Sequence, residues 1–193
     1  NSQWSSAASA IDFDMSLVNP QNTTNSRISG LVYTAEDRLD INVDLDRFSL
    51  KWLQPFLADM LNRVDGSISS HININGSTAK PQADGWLGFN DIYMGVDFTN
   101  VTYHIADTIN VHPDRVGFSN LVIEDNNRNK AIASADINYE DLTNPKFDLN
   151  LDLNNFMVLN TETRTDSLFY GKLFATGNVK IKGDMNDIQA HMN

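Results

Sequence analysis

Leu39-Asp40-Ile41-Asn42-Val43-Asp44-Leu45-Asp46 alternates apolar and polar residues without a break, and Phe147-Asp148-Leu149-Asn150-Leu151-Asp152-Leu153-Asn154 does so again. Successive side chains of a strand point to opposite faces. Each stretch therefore has one aliphatic face and one face of carboxylates and amides, the pattern of a half-buried strand. Shorter versions recur at Ile11, Phe13, Met15 and Leu17, at Ile68, Ile72 and Ile74, at Val101, Tyr103 and Ile105, and at Val179 and Ile181. Buried parallel strands read as unbroken apolar runs, so the alternation predicts an all-β, antiparallel sheet wet on one side.

Turn chemistry separates the runs at Val64-Asp65-Gly66, Asn75-Gly76, Asp84-Gly85, Asp125 to Asn129, Thr143-Asn144-Pro145 and Gly183-Asp184. Short connections predict a meander. One segment follows another rhythm: Leu50, Leu53, Leu57, Met60 or Leu61, and Val64 recur at three- and four-residue steps. That spacing predicts an amphipathic helix over about 50–64, with Pro55 in its first turn and Gly66 just past its end. The helix is expected to plug one end or edge of the sheet, where unpaired backbone over an apolar face needs cover. Ser70 to Ala83 also echoes Gly177 to Ala190, matching Ile72 with Val179, Ile74 with Ile181 and Gly76 with Gly183. Repeated strand-Gly-strand units suit an elongated sheet that grows by modules, read here as one unit over 1–193.

The chain has 193 residues, 41% of them hydrophobic, which is enough to build a core. Its formal net charge of −11 repels phosphate backbones and argues against nucleic acid as a partner. Cysteine is absent, which removes disulfides and thiol chemistry. Asn1 to Ala10 has neither a basic start nor an apolar stretch, so it does not read as a signal peptide, and no apolar run approaches the roughly 20 residues of a spanning helix. The chain begins without Met and ends on Asn193 with strand-like alternation still running, as expected of a segment from a longer protein whose targeting or anchoring element lies elsewhere.

No nucleophile elbow, P-loop or dinucleotide fingerprint occurs, and carboxylate pairs such as Asp12 and Asp14 recur too widely to single out a dyad. Neither enzyme activity nor a cofactor is expected. His71, His104, His112 and His191 lack metal-ligand spacing. Asp125, Asn127, Asn129 and Asp136 fit positions of a calcium loop, yet Lys130 stands where such a loop needs Gly and the flanks read as strands, which favours a polar hairpin turn. The Asp and Asn ladders read as solvated strand faces, with calcium binding of the repeat-adhesin kind as the alternative. Trp4, Trp52 and Trp86 are expected to be packing anchors.

On pattern alone the aliphatic faces serve either as the core of a closed sandwich or as an open groove for acyl chains. The groove residues are Leu39, Ile41, Val43, Leu45, Ile72, Ile74, Phe147, Leu149, Leu151, Leu153, Val179 and Ile181. Burying a lipid tail releases roughly 0.8 kcal/mol per CH₂, and a smooth aliphatic wall imposes no register, which suits conduction better than capture.

Three stretches resemble the TamB family of the AsmA-like group. They are FSLKWLQPFLADMLNRVDGSISSHININGSTAKPQADGWLGFND from Phe48 to Asp91; LVIEDNNRNKAIASADINYEDLTNPKFDLNLDLNNFMVLN from Leu121 to Asn160; and FYGKLFATGNVKIKGDMNDIQAHMN from Phe169, with Gly171, Gly177 and Gly183. Their order and spacing are similar to the family's C-terminal region. The resemblance implies a long sheet curled into an open U, a β-taco, with an aliphatic concave side. It further implies a periplasmic protein, anchored in the inner membrane outside this segment, that carries phospholipid towards the outer membrane. An Omp85-type outer-membrane barrel of the TamA kind is the implied partner. Two alternatives stand beside this: an assembly factor for outer-membrane and autotransporter proteins acting by strand pairing, and a calcium-stabilised, adhesin-like surface module.

Overall fold

The computed structural model describes residues 2–5, 10–18, 25–58, 60–161 and 170–193. Among them, twelve strands form one sheet in strict chain order: β1 (Ser2–Ser5), β2 (Ala10–Val18), β3 (Asn25–Tyr33), β4 (Arg38–Ser49), β5 (Leu61–Gly76), β6 (Pro81–Val96), β7 (Val101–His112), β8 (Arg115–Glu124), β9 (Lys130–Asn138), β10 (Lys146–Thr161), β11 (Gly171–Gly183) and β12 (Ile188–Met192). Every pairing is antiparallel. A single antiparallel sheet is the all-β meander that the alternation predicts. All described strands belong to it, so among the described residues the apolar face has no second sheet packed against it. Phe169, which begins the third family-like stretch, lies outside the described residues, as do Asp59 and, in the polar start, Asn1 and residues 6–9.

Directly paired residues of antiparallel strands share a face, so the register shows how far the aliphatic face extends. One row runs Met15, Ile28, Val43, Ile72, Gly85, Val111, Val116, Ile137, Phe147, Gly183, Ile188, across eleven strands. The echo seen in sequence holds in register too. Gly76 pairs with Pro81 and Gly183 with Ile188, each hairpin being closed by a four-residue turn.

Bulges keep the long strands facing one way. In four places the apolar residues step by three instead of two: Leu45 to Phe48, Phe89 to Ile92, Phe118 to Leu121 and Leu153 to Phe156, each at a register shift. The second residue of each insertion takes a positive φ: Arg47 (47°), Asp91 (47°), Asn120 (63°) and Asn155 (48°). An extra residue in that conformation bends the strand without turning its apolar side outward. In three of the four, the N–H of that residue donates to a hydroxyl on the facing strand: Arg47 to Ser69 (3.2 Å), Asn120 to Ser134 (3.5 Å) and Asn155 to Thr176 (2.9 Å). Gly66 (φ 95°) supplies the matching irregularity in β5, where a Cβ would lie 2.3 Å from the Asp91 carbonyl oxygen. Asn155→Val puts a β-branched residue at positive φ and is expected to cost about 1–3 kcal/mol, whereas Asn155→Gly is tolerated. Urea-unfolding midpoints of the two variants check this.

The connection from β4 to β5 differs from expectation. A 3₁₀ turn (Leu50–Leu53) leads into one helical turn, α1 (Gln54–Leu57), and by Leu61 the chain is already in β5. The helix over about 50–64 is thus corrected to 50–57. A helix so short has little stability of its own, while Leu61, Arg63 and Val64 gain ladder partners in Val96, Gly95 and Met94. What remains does cover the sheet as expected. Leu50 is buried with Val64 and Ile92, and Leu57, Leu61, Ile68, Phe89 and Met94 pack around them. Two expected turns, Val64-Asp65-Gly66 and Asp84-Gly85, are interior to β5 and β6. Trp52 (68% exposed) and Trp86 (39%) are not packing anchors, and the side chain of Trp4 lies outside the described part.

Candidate functional site

The twelve groove residues read from the sequence lie on the shared aliphatic face, in two patches of six. On β4 and β5, Ile41 pairs with Ile74 and Val43 with Ile72, flanked by Leu39 and Leu45. On β10 and β11, Leu149 pairs with Ile181 and Leu151 with Val179, flanked by Phe147 and Leu153. All twelve are half-buried. Burial along β4 does not alternate: Asp40, Asn42 and Asp44 are as half-buried as their aliphatic neighbours. A face pressed against a second layer would show the contrast, so among the described residues the β4 side of this patch has no such layer.

Between the patches lie residues that the alternation does not single out. Ile109, Leu121 and Ala133 are buried together, with Leu87, Phe89, Ile105, Val116, Phe118, Ile123 and Leu151 packed around them. Gly88, Gly117 and the three-residue steps at the bulges interrupt the period-2 signal here. The step itself, apolar-polar-Asn/Asp/Arg-apolar, is the signal that would have found them.

This central region curls because short hairpins alternate with longer flanking strands. Beyond the tip of the β8–β9 hairpin, β7 and β10 converge. The Asn160 N–H donates to the Thr99 carbonyl (2.8 Å), Asn100 Nδ2 to the Asn160 carbonyl (2.7 Å) and the Tyr103 hydroxyl to the Met157 carbonyl (3.2 Å). Tyr103 also stacks on Phe156, with ring centroids 5.4 Å apart. Burial pushes the Tyr103 phenol pKa upward, so the hydroxyl stays protonated to donate. At the opposite end, beyond the β7–β8 tip, Tyr139 reaches over the turn. Its hydroxyl donates to the carbonyls of His112 and Ala83, and its N–H donates to the Asp114 carbonyl.

Asp125 holds the first of these closures. Its Oδ1 accepts the N–H groups of Asn127 (2.7 Å) and Asn129 (2.9 Å), and its Oδ2 accepts Asn129 Nδ2 (2.9 Å) and the Met157 N–H (2.7 Å). Burial raises the pKa of this 5%-exposed carboxylate, but the four donors outweigh it and leave the pKa lowered. Two donors on each oxygen use the lone pairs a calcium ion would need, so Asp125 ties a hairpin tip to β10 instead of opening a cation loop.

The opposite face carries the polar ladders. Asn73 Nδ2 donates to Asn42 Oδ1 (2.9 Å), Asn178 Nδ2 to Asn150 Oδ1 (2.8 Å), and Lys182 Nζ lies 2.6 Å from Asp148. His71 pairs with Asp44 (2.5 Å), while His104 pairs with Asp91 (3.2 Å) and stacks on Tyr93. Such exposed pairs contribute about 0–1 kcal/mol each. Their main effect is to keep this face wet.

The family model of the TamB C-terminal domain matches residues 119–191, from the β8 bulge through the Asp125 turn to β12. Searches of the curated proteins and of the solved structures give no match. No helix of the described residues is long and apolar enough to cross a membrane. The matched span takes in the second aliphatic patch, the β10 bulge and the closure held by Asp125, so over residues 119–191 the chain is similar to the TamB C-terminal domain.

Proposed function

We propose that the aliphatic face is a groove that binds phospholipid acyl chains in the periplasm and conducts them between the inner and outer membranes, supporting outer-membrane biogenesis. The observation that carries this reading is the unbroken apolar row from Met15 to Ile188 on a sheet with no second layer among the described residues. Each methylene held there is worth roughly 0.8 kcal/mol. Repeated over every strand, that gain changes little as a chain slides, so binding and movement are compatible.

Photocrosslinking tests it. Probes at Ile41 or Leu151 should capture phospholipid from cells, and probes at Asp40 or Asp152 should not. Equal labelling of the two faces would sink the groove.

A second reading is strand pairing with an Omp85-type barrel partner at a sheet edge. Backbone groups along such an edge can accept another strand.

A further inference from the structure

The turns of an antiparallel meander fall alternately at the two ends of its strands, and here the two ends differ in kind. One end holds the β3–β4, β5–β6, β7–β8, β9–β10 and β11–β12 connections. Apart from Lys80, every charged residue in these turns is acidic, Asp37, Asp114, Glu140, Asp141, Asp184 and Asp187 among them. The other end holds the β4–β5, β6–β7 and β8–β9 connections and the approach to β11, where the described charges are of both signs. It also carries the aromatic side chains most open to solvent among the described ones: Trp52 (68%), Phe56 (85%), Phe98 (79%) and Tyr170 (67%).

Backbone contacts join these residues into one rim. The Met60 N–H donates to the Leu57 carbonyl (3.0 Å), and the Met60 carbonyl accepts the Asp97 N–H (3.1 Å), which ties α1 to the β6–β7 turn. That turn meets β10 where the Asn160 N–H donates to the Thr99 carbonyl (2.8 Å), and Thr161 pairs with Gly171, next to Tyr170. The β4–β5 connection is apolar on both its sides. Leu50 and Leu57 pack into the cluster with Val64 and Ile92, while Trp52, Leu53 and Phe56 stay outside it, exposed. A helical segment apolar all round has a partner on its outer side too.

Shape and charge together select that partner. A protein surface demands a contiguous patch that packs to interior density. Four rings carried on three separate segments, and resting on little of the protein beneath, are spikes, and a fluid that closes around them needs no matching shape. Trp and Tyr, with an apolar body and a polar tip, suit the layer where lipid headgroups meet acyl chains. Lys51 and Arg63 are exposed on the same rim and share Asp65 (3.4 and 3.8 Å). Their stems can lie along the apolar layer while their charges reach lipid phosphates. The acidic end has no such complement to a phosphate layer.

We propose that this aromatic rim docks the protein on the surface of a lipid bilayer, with Trp52, Phe56, Phe98 and Tyr170 dipping into its interfacial layer. The docking does not require the aliphatic face to be a groove, because the four rings lie outside both buried clusters.

Flotation of the whole chain with phosphatidylcholine vesicles tests it. Wild type should float with the vesicles, and Phe56→Ser with Phe98→Ser should bind roughly 100-fold more weakly, about tenfold for each phenyl kept in water. Both side chains are exposed, so urea midpoints should not change, which separates this loss from misfolding. Leu142→Ser with Met185→Ser, which removes exposed apolar residues of the acidic end, should float as wild type does. With Trp4→Phe and Trp86→Phe, Trp52 is the one indole left of three, and vesicles of brominated phosphatidylcholine should quench its emission. Vesicle binding that survives the double Ser change in the rim, or that leaves Trp52 unquenched, overturns the rim as the docking site. Wild type that stays free of vesicles overturns the bilayer as occupant, and a dimer lost in the Phe56 and Phe98 variant would then assign the rim to a second copy of the chain.

Discussion

Asp125→Ala is expected to destabilise the protein by about 3 kcal/mol, a large share of the roughly 5–15 kcal/mol that holds a domain folded. The carboxylate meets four donors, and the Met157 N–H among them is buried. In the turn, the Asn127 and Asn129 donors can turn to water, so their loss is modest. Met157 itself is 2% exposed, and its N–H would remain without an acceptor, which alone costs about 1–3 kcal/mol. Asp125→Asn keeps one acceptor oxygen and should lose less. The pH dependence follows from the lowered pKa. The unfolded carboxylate titrates near 3.8 and the folded one below it. The stabilisation is therefore complete above the unfolded value and disappears as pH falls through it towards the folded value. Between these limits wild type should lose stability more steeply than Asp125→Asn. Urea midpoints across acid pH, with hydrogen exchange at the Met157 amide, would decide it, and an amide equally protected in Asp125→Ala would refute this role for the carboxylate.

How much of this is legible in the sequence depends on where the period-2 signal survives. Leu39 to Asp46 and Phe147 to Asn154 declare their two faces, because each stretch ends where its bulge begins, at Asp46-Arg47 and Asn154-Asn155. The antiparallel meander and the two aliphatic patches follow from them. The middle strands conceal the same face, since Gly88 and Gly117 carry no side chain and the insertions at Asn90-Asp91 and Ser119-Asn120 shift the phase. Local spacing overextends the helix for a related reason. Leu57, Leu61 and Val64 suit a helical step, but Val64 and Ile92 bury each other only if Leu61 onward is strand, and that tertiary gain is invisible to local spacing. The closures lie further out of reach. Tyr103 and Tyr139 look like ordinary strand aromatics, and their work depends on which neighbouring hairpin is short. Asp125 reads in sequence as part of a polar hairpin turn, which it is, but its bond to the Met157 N–H across to β10 depends on the curl and is not visible there.

Ile41→Arg is expected to abolish lipid capture while leaving the protein folded. Charge on Leu151 is not an equivalent test, although both residues lie at the middle of an aliphatic patch. Leu151 packs against the buried Ile109, Leu121 and Ala133, so a guanidinium there also damages the core. Ile41 stands between Gly30 and Ile74, outside both buried clusters, and its neighbour across β3 has no side chain to displace. An arginine at Ile41 can extend to water without an acyl chain present. A bound chain would have to strip that water away, at a cost of about 2.5–3.5 kcal/mol on the scale of charge insertion into hydrocarbon, or roughly 100-fold in binding. Asp40→Arg, on the opposite face, should leave lipid capture intact. The same pair separates the two readings of the protein, because neither substitution lies on an outer strand of the sheet. Strand pairing with a barrel partner predicts normal partner binding and normal outer-membrane assembly for Ile41→Arg, while acyl-chain conduction predicts that phospholipid recovery with the purified protein falls to background. A fully functional Ile41→Arg protein that recovers no lipid would move the function from the face to the edge.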